Sequence, residues 1–216
     1  MRQTRSMGIE FSILGRGRAG RSLAAAWGSR VALLAHDARP EGLVLLAVPD
    51  GAVGALAQAF PGRCAHLSGS LDIPGVPSAH PLTSFDGQAR NWAGTPLGLT
   101  GVVPKEIHAA FVDLGFLPFE LPSHLKPLYH ACAVMSSGHA ATLWLGAEKL
   151  LQDGGVPLPG RGLLPLAEAT LRNLAEHGAE GRTGPFVRND LDTIERDAAA
   201  LAPAWRELFL QLGRML

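Results

Sequence analysis

Residues 9–14, Ile-Glu-Phe-Ser-Ile-Leu, alternate apolar and polar and run straight into Gly15-Arg16-Gly17-Arg18-Ala19-Gly20, and an Ala-rich helical pattern follows over 19–27. A strand, a glycine turn and a helix in that order fit few folds. In a G-x-G-x-x-G of this setting Gly15 makes the tight turn, Gly17 lets a pyrophosphate approach the backbone, and Gly20 lets the helix pack closely on the strand. The helix N-terminus then offers its free N–H groups to phosphate. Gly15, Arg16, Gly17, Arg18, Ala19 and Gly20 are therefore the expected cofactor-binding turn. The alternative is a glycine turn in some other α/β domain.

Apolar runs bounded by Gly and Pro recur at 31–35, 43–48, 64–67, 78–82 and 97–100 and read as buried parallel strands. Between the second run and Leu43 stand only the residues from Asp37 to Gly42, too few for a crossover helix, so the sheet is abbreviated there. The helix after the third run starts at Asp50, whose carboxylate is expected to cap the N–H of Ala52 or Val53. At 216 residues, 47% of them hydrophobic and 18% charged, the chain can bury a core for this domain and a second, smaller one.

Composition also narrows the partners. Formal net charge is zero and there is no basic run, so nucleic acid and membrane surfaces are not expected and a small molecule is. The two cysteines, Cys64 and Cys132, stand in apolar surroundings and read as buried free thiols of a reducing cytosol. With no apolar signal core in residues 1–7 and no apolar run of the roughly 18 residues a membrane helix needs, a cytoplasmic location is expected.

The end of the second strand, where an adenosine ribose is normally met, holds His36, Asp37 and Arg39. Asp37 suits a ribose 2′-hydroxyl and NAD, whereas Arg39 with Arg16 or Arg18 suits a 2′-phosphate. Two cations already within the turn tilt the choice toward NADP. Ligands of open α/β sheets bind at the carboxyl ends of strands. That adds Val48, Pro49 and Ser68 to the cofactor set and His80 to the substrate side.

From residue 123 the period becomes helical, giving a first helix over 123–151, a second over 163–177 ended by Gly178, and a last over 191–216 kinked or split by Pro203. The expected domains are 1–122 and 123–216. Lys126, His130 and Ser137, at i, i+4 and i+11, fall on one side of the first helix. A lysine in a first helical turn has its pKa lowered by the helix dipole and suits proton transfer; the alternative is a solvated polar stripe. Arg188 follows a Gly184-Pro185 turn and suits a substrate carboxylate, or a structural ion pair, while Asn189 or Asp190 caps the last helix.

Six ordered motifs, Gly15-Arg16-Gly17-Arg18-Ala19-Gly20, Ala47-Val48-Pro49-Asp50, His66-Leu67-Ser68-Gly69, His80-Pro81-Leu82-Thr83-Ser84-Phe85, Lys126-Pro127-Leu128-Tyr129-His130-Ala131, and Thr183-Gly184-Pro185 with Arg188 and Asp190, resemble a bacterial family labelled domain of unknown function 2520. The resemblance spans the whole chain. It implies an α/β fold, a Rossmann-like, mostly parallel sheet with an abbreviated crossover, followed by an all-α domain like that of 6-phosphogluconate dehydrogenase. That family is similar to pyrroline-5-carboxylate reductase, deazaflavin-dependent NADP oxidoreductases and β-hydroxyacid dehydrogenases, which bind NAD(P) and usually dimerise through the helical domain. The spacing of Lys126 and His130 is similar to a helix lysine and polar partner serving the reacting oxygen in the last of these.

The resulting expectation is an NAD(P)-dependent oxidoreductase moving a hydride to or from a small keto, imino or hydroxy acid in an interdomain cleft. Lys126 and His130 are its catalytic residues and His80, Ser137 and Arg188 bind substrate. A homodimer that holds NAD(P) without turnover, as a regulator or scaffold, is the alternative from another class, and a deazaflavin partner a third.

Overall fold

The computed structural model describes residues 9–215, so the amino-terminal stretch read above for a signal core lies outside the described residues. The chain forms two compact units, residues 1–140 and 141–216. The boundary expected at 122/123 marks where the chain turns helical, and the first unit continues past it.

The first unit is built on one seven-stranded sheet. Its strands are β1 (Phe11–Leu14), β2 (Val31–Leu34), β3 (Leu43–Leu46), β4 (Cys64–His66), β5 (Ser78–Pro81), β6 (Pro96–Thr100) and β7 (Leu117–Glu120), in the order β2-β1-β3-β4-β5-β6-β7. β1 pairs in parallel with β2 and β3, so that Phe11 stands between Val31 and Leu43. No helix separates β2 from β3, as the short connection requires. Both strands flank β1, about 10 Å apart across it, a span the linking residues cover without one.

β3, β4 and β5 continue the parallel set, but β6 runs antiparallel to β5 and β7 parallel to β6. This corrects the reading of 97–100 as a further parallel strand. The 82–95 connection contains no helix, and a return without a crossover helix leaves an antiparallel neighbour. β7 and the helix before it, α3 (Lys105–Asp113), went unread in the sequence.

Alternation along the strands feeds two cores. Phe11, Ile13 and Leu45 pack on one face with Leu23 and Trp27 of α1 (Arg18–Trp27) and Ile107 and Phe111 of α3. Leu14, Val44 and Leu46 pack on the other with Val53 and Leu56 of α2 (Asp50–Gln58) and with Phe60. Trp27 ties the first layer together, with its ring edge-on to Phe11 and Phe111 and its indole N–H donated to the Ala110 carbonyl at 2.9 Å. β1, β3 and β4 are thus covered on both faces, and the carboxyl ends of β1 to β5 share one edge.

After β7 a short 3₁₀ turn, Ser123–Leu125, leads into α4 (Lys126–Val134), a π-helical turn over Met135–His139, and α5 (Ala140–Asp153). Inside the π turn the Ser136 and Ser137 hydroxyls donate back to the carbonyls of Cys132 and Ala133 at 2.7 and 2.6 Å. Cys132 itself is exposed, which corrects the expectation of two buried thiols, whereas Cys64 is buried on β4. The extra residue per turn breaks the single 3.6-residue stripe on which Lys126, His130 and Ser137 were aligned.

The second unit is all helical, with the body of α5, then α6 (Leu164–His177), α7 (Leu191–Ala199) and α8 (Pro203–Arg214). Pro203 opens α8 instead of bending one long helix, and Asp190 caps α7 by accepting from the Thr193 N–H at 3.2 Å. Apolar side chains including Trp144, Leu171, Phe186, Trp205 and Phe209 line a groove of about 740 Å³. Among the described residues of this unit only Ala167 and Ala198 are buried hydrophobics, while Leu145 and Leu166 remain 68% and 66% exposed.

Candidate functional site

The three motif glycines are needed for three different physical reasons. Gly15 sits at φ +117°, and a Cβ on it would stand 2.2 Å from the Ala47 carbonyl oxygen. A Cβ on Gly20 would stand 2.0 Å from the Gly15 carbonyl oxygen, so α1 reaches β1 only because no side chain is there. A Cβ on Gly17 would meet nothing within 4 Å. Gly17 is the N-cap of α1 and no side chain caps that helix. The turn therefore presents open backbone and uncapped N–H groups, with the dipole of α1 behind them, which is the donor set a pyrophosphate requires.

Arg16 and Arg18 are exposed beside this turn. At the end of β2, His36 and Asp37 are exposed and Arg39 folds back, donating to the carbonyls of Asp37 and Ala38 at 2.8 and 3.0 Å. Next to the turn, Ala19, Ala47, Val48, Asp50, Leu67, Ser68, Gly69, His80 and His130 enclose a pocket of about 250 Å³. The fold thus gathers Ala19, Val48, Ser68, His80 and His130, which stand far apart in the sequence.

Asp50 does not cap α2, whose N-cap is Pro49 and which has no side-chain cap. Its carboxylate instead accepts from the hydroxyls of Ser68 and Ser70 at 2.9 and 3.1 Å, pinning the loop after β4. The serines compete successfully for the carboxylate because that loop lies across the start of α2.

Beneath this loop lies Lys126. It is wholly buried, and its Nζ donates to the Ser68 carbonyl at 3.2 Å and to the Ser78 hydroxyl at 2.5 Å. Burial lowers its pKa, opposed by the charges of Asp72 and Asp50. Lys126 is not among the residues lining the two pockets bounded by His80 and His130, and its ammonium clamps the β4 loop to β5 and α4.

His80 and His130 do line open space. A second cavity, of about 540 Å³, is bounded by both histidines with Leu82, Thr83, Ser84, Tyr129 and residues of α4 and the π turn, Ser137 among them. The two histidines thus form a wall common to both pockets, their rings 6.2 Å apart. Gly69 allows this: a Cβ there would come within 2.8 Å of His80 Nε2 and 2.9 Å of His130 Cδ2. Burial, with the charges of His130 and Lys126, lowers the His80 pKa to about 4, so the ring is neutral at physiological pH.

Ser78, Gly69 and Tyr129 went unread in the sequence as site residues. Tyr129 carried a usable signal, being the single tyrosine of the chain and adjacent to His130. Arg188 lies in the second unit, exposed in the turn before α7, with Asp190 near enough for its charge to be felt.

Residues 98–216 match the model of the family described as domain of unknown function (DUF2520), a match covering more than half of the chain. The chain belongs to the DUF2520 family. No curated protein matches significantly. Among solved structures, this DUF2520 chain is similar to a candidate NADP oxidoreductase from Bacteroides fragilis, at 18% identity and TM-score 0.76 over 96% of this chain and 97% of that one. A protein from Thermotoga maritima aligns at 19% identity and TM-score 0.73, covering 95% and 96%. A reductive aminase from Aspergillus terreus, solved with NADPH and ethyl levulinate, aligns at 12% identity and TM-score 0.65, covering 95% and 91%. At such identities these likenesses establish the shared fold. Among the described residues no helix of the DUF2520 chain is long and apolar enough to cross a membrane.

Proposed function

We propose that this protein is an NAD(P)-dependent oxidoreductase acting on a small carbonyl, imine or hydroxy compound. The observation that carries the reading is the open backbone at Gly17, free of any atom a Cβ would touch, at the uncapped start of α1 and beside a pocket walled by His80 and His130. A bound nicotinamide dinucleotide supplies hydride transfer at carbon.

In this reading the chain's own residues do the following. Gly17 and the first turn of α1 receive the pyrophosphate, with Arg16 and Arg18 adding positive charge. His36, Asp37 and Arg39 meet the ribose, and the two exposed arginines of the turn favour NADP over NAD. Val48, Pro49 and Ser68 border the dinucleotide beyond the turn. His130, on the wall common to the two pockets, faces a substrate held in the larger one, which Ser137 helps to line. The clamp made by Lys126 keeps the Ser68 loop against α4, and its charge helps keep His80 neutral. The carboxylate anchor expected at Arg188 lies outside this unit, and the reading does not depend on it.

Titration of the purified protein with NADPH and NADH, followed by nicotinamide fluorescence and thermal shift, tests the proposal. Wild type is expected to bind with preference for NADPH and to oxidise it with a member of a panel of keto acids, ketones and imines. Gly17→Val is expected to fold normally and to lose at least tenfold in affinity. Absence of binding to either dinucleotide defeats the reading, and binding without turnover on the whole panel replaces the enzyme with a dinucleotide-binding regulator.

The exposed leucines of the helical unit support a homodimer through that unit. Light scattering on a sizing column is expected to give twice the chain mass, and Leu145→Glu with Leu166→Glu to halve it.

A further inference from the structure

The single tyrosine of the chain stands at the larger of the two cavities walled by His80 and His130. Its hydroxyl lies 2.9 Å from Nδ1 of His80, and the two rings meet edge to face with centroids 5.4 Å apart. Phe119 of β7 braces the tyrosine ring at 6.0 Å, and the hydroxyl lies over Gly98 of β6, where an added Cβ would stand in ordinary contact with it at 3.5 Å. On its other side His80 borders the dinucleotide pocket together with Gly69, whose Cβ would touch His80 Nε2. One imidazole therefore spans the wall between the pockets, with Nδ1 on the tyrosine and its other edge at the smaller pocket.

We propose that Tyr129 is the catalytic acid–base group of this site and that His80 relays protons to it from the smaller pocket. The proposal rests on the oxidoreductase reading above. In the direction of reduction, the carbon of a C=O or C=N group accepts a hydride from the reduced dinucleotide and the π electron pair moves onto oxygen or nitrogen. That atom takes the Tyr129 hydroxyl proton. Nδ1–H of His80 reprotonates the phenolate while Nε2 takes a proton from water, so the imidazole ends neutral in its other tautomer. Substrate gains two electrons and two hydrogens, the dinucleotide loses the hydride, and solvent supplies the proton; oxidation runs in reverse.

The surroundings suit both groups. His80 is faced by Tyr129, His130 and Lys126 from α4 and by Asp50 from α2, and burial, the largest cause, keeps it neutral, able to accept at one nitrogen while donating at the other. Burial pushes the Tyr129 hydroxyl up to about 12, so it holds its proton until a stronger base forms against it. Lys126 provides no competing donor, since its ammonium is spent on Ser68 and Ser78.

Because there is one tyrosine, protein grown with 3-fluorotyrosine gives one fluorine resonance, and the tyrosinate absorption band reports one residue in the dinucleotide-free protein. The resonance is expected to shift in His80→Gln, and in wild type the hydroxyl to titrate well above an ordinary tyrosine. With a substrate from the panel, Tyr129→Phe is expected to lower kcat by about 100-fold or more with the NADPH Kd within twofold of wild type. His80→Gln is expected to lower kcat less and to change its pH profile. A Tyr129→Phe rate within threefold of wild type, or a fluorine resonance indifferent to His80→Gln, overturns this proposal while leaving dinucleotide binding intact. Wild type that binds no dinucleotide, or turns over nothing in the panel, overturns it together with the reading beneath it.

Discussion

Gly20→Ala is expected to destabilise the protein by about 3 kcal/mol or more, while Gly17→Ala, three residues away in the same turn, changes stability by no more than about 0.5 kcal/mol. The contrast follows from what each new methyl meets. At Gly20 it would stand 2.0 Å from the Gly15 carbonyl oxygen and 3.2 Å from the carbon bonded to it. A comfortable carbon–oxygen contact is roughly 3.3 Å, so α1 must retreat from β1 by about 1 Å. That retreat loosens Leu23 and Trp27, both fully packed in the core against Phe11 and Ile13. Gly15 cannot yield in its turn, because its own position at φ +117° is held against the Ala47 carbonyl. At Gly17 the methyl meets no atom, and the local φ of −70° suits any residue. Urea unfolding of the two variants beside wild type measures the difference directly. Equal midpoints for Gly20→Ala and wild type would show that the helix does not rest on the strand as described. A normal midpoint for Gly17→Ala also makes the bulkier Gly17→Val an interpretable test of dinucleotide binding.

The same contrast shows what the sequence could convey. The glycine spacing encoded the turn because each role there is a local steric demand, and the missing crossover before Leu43 could be counted from residues alone. β7 was not legible: all four of its residues, Leu117, Pro118, Phe119 and Glu120, are exposed on an edge strand, so no buried alternation betrays it. α3 did carry a signal, with Ile107, Ala110 and Phe111 at helical spacing and all buried. The direction of β6 was hidden because short apolar runs look alike in either orientation. At the site, His80 and His130 were found as strand-end and helix residues, but their common wall depends on Gly69, whose neighbours come from β5 and α4. Lys126 was read from its helix position as a dipole-tuned group for proton transfer, with a solvated polar stripe as the alternative. Its burial is a tertiary fact, set by Ser68 and Ser78 from two different strand ends, and no periodicity within α4 could announce it.

The second large effect is expected on acidification, and it comes from His66. This ring is 1% exposed at the end of β4; its Nδ1 accepts the Ser68 N–H at 3.2 Å, which places the ring proton on Nε2, a buried atom with no hydrogen-bond partner among the described residues. Burial, reinforced by the Lys126 charge and only partly offset by Asp50 and Asp72, lowers its pKa from 6.5 to about 4. The folded state therefore refuses a proton that the unfolded chain accepts. Stability is whole above pH 6.5 and falls as the pH drops toward 4, because in that window the unfolded chain binds more protons. A shift of this size corresponds to roughly 3 kcal/mol. His80 acts in the same direction, and its partial exposure makes its share smaller. The shifted carboxylates, such as Asp86 and Glu168, lie below their ordinary values and act at still lower pH. His66→Asn keeps an acceptor for the Ser68 N–H but cannot titrate, so urea midpoints measured from pH 7 to 4 should fall more gently than in wild type. An offset at neutral pH reflects lost ring volume and is irrelevant to the slope. Parallel slopes for the two proteins would mean that His66 takes up its proton in the folded state, and that the buried, neutral ring beneath the Ser68 loop is not what limits acid stability.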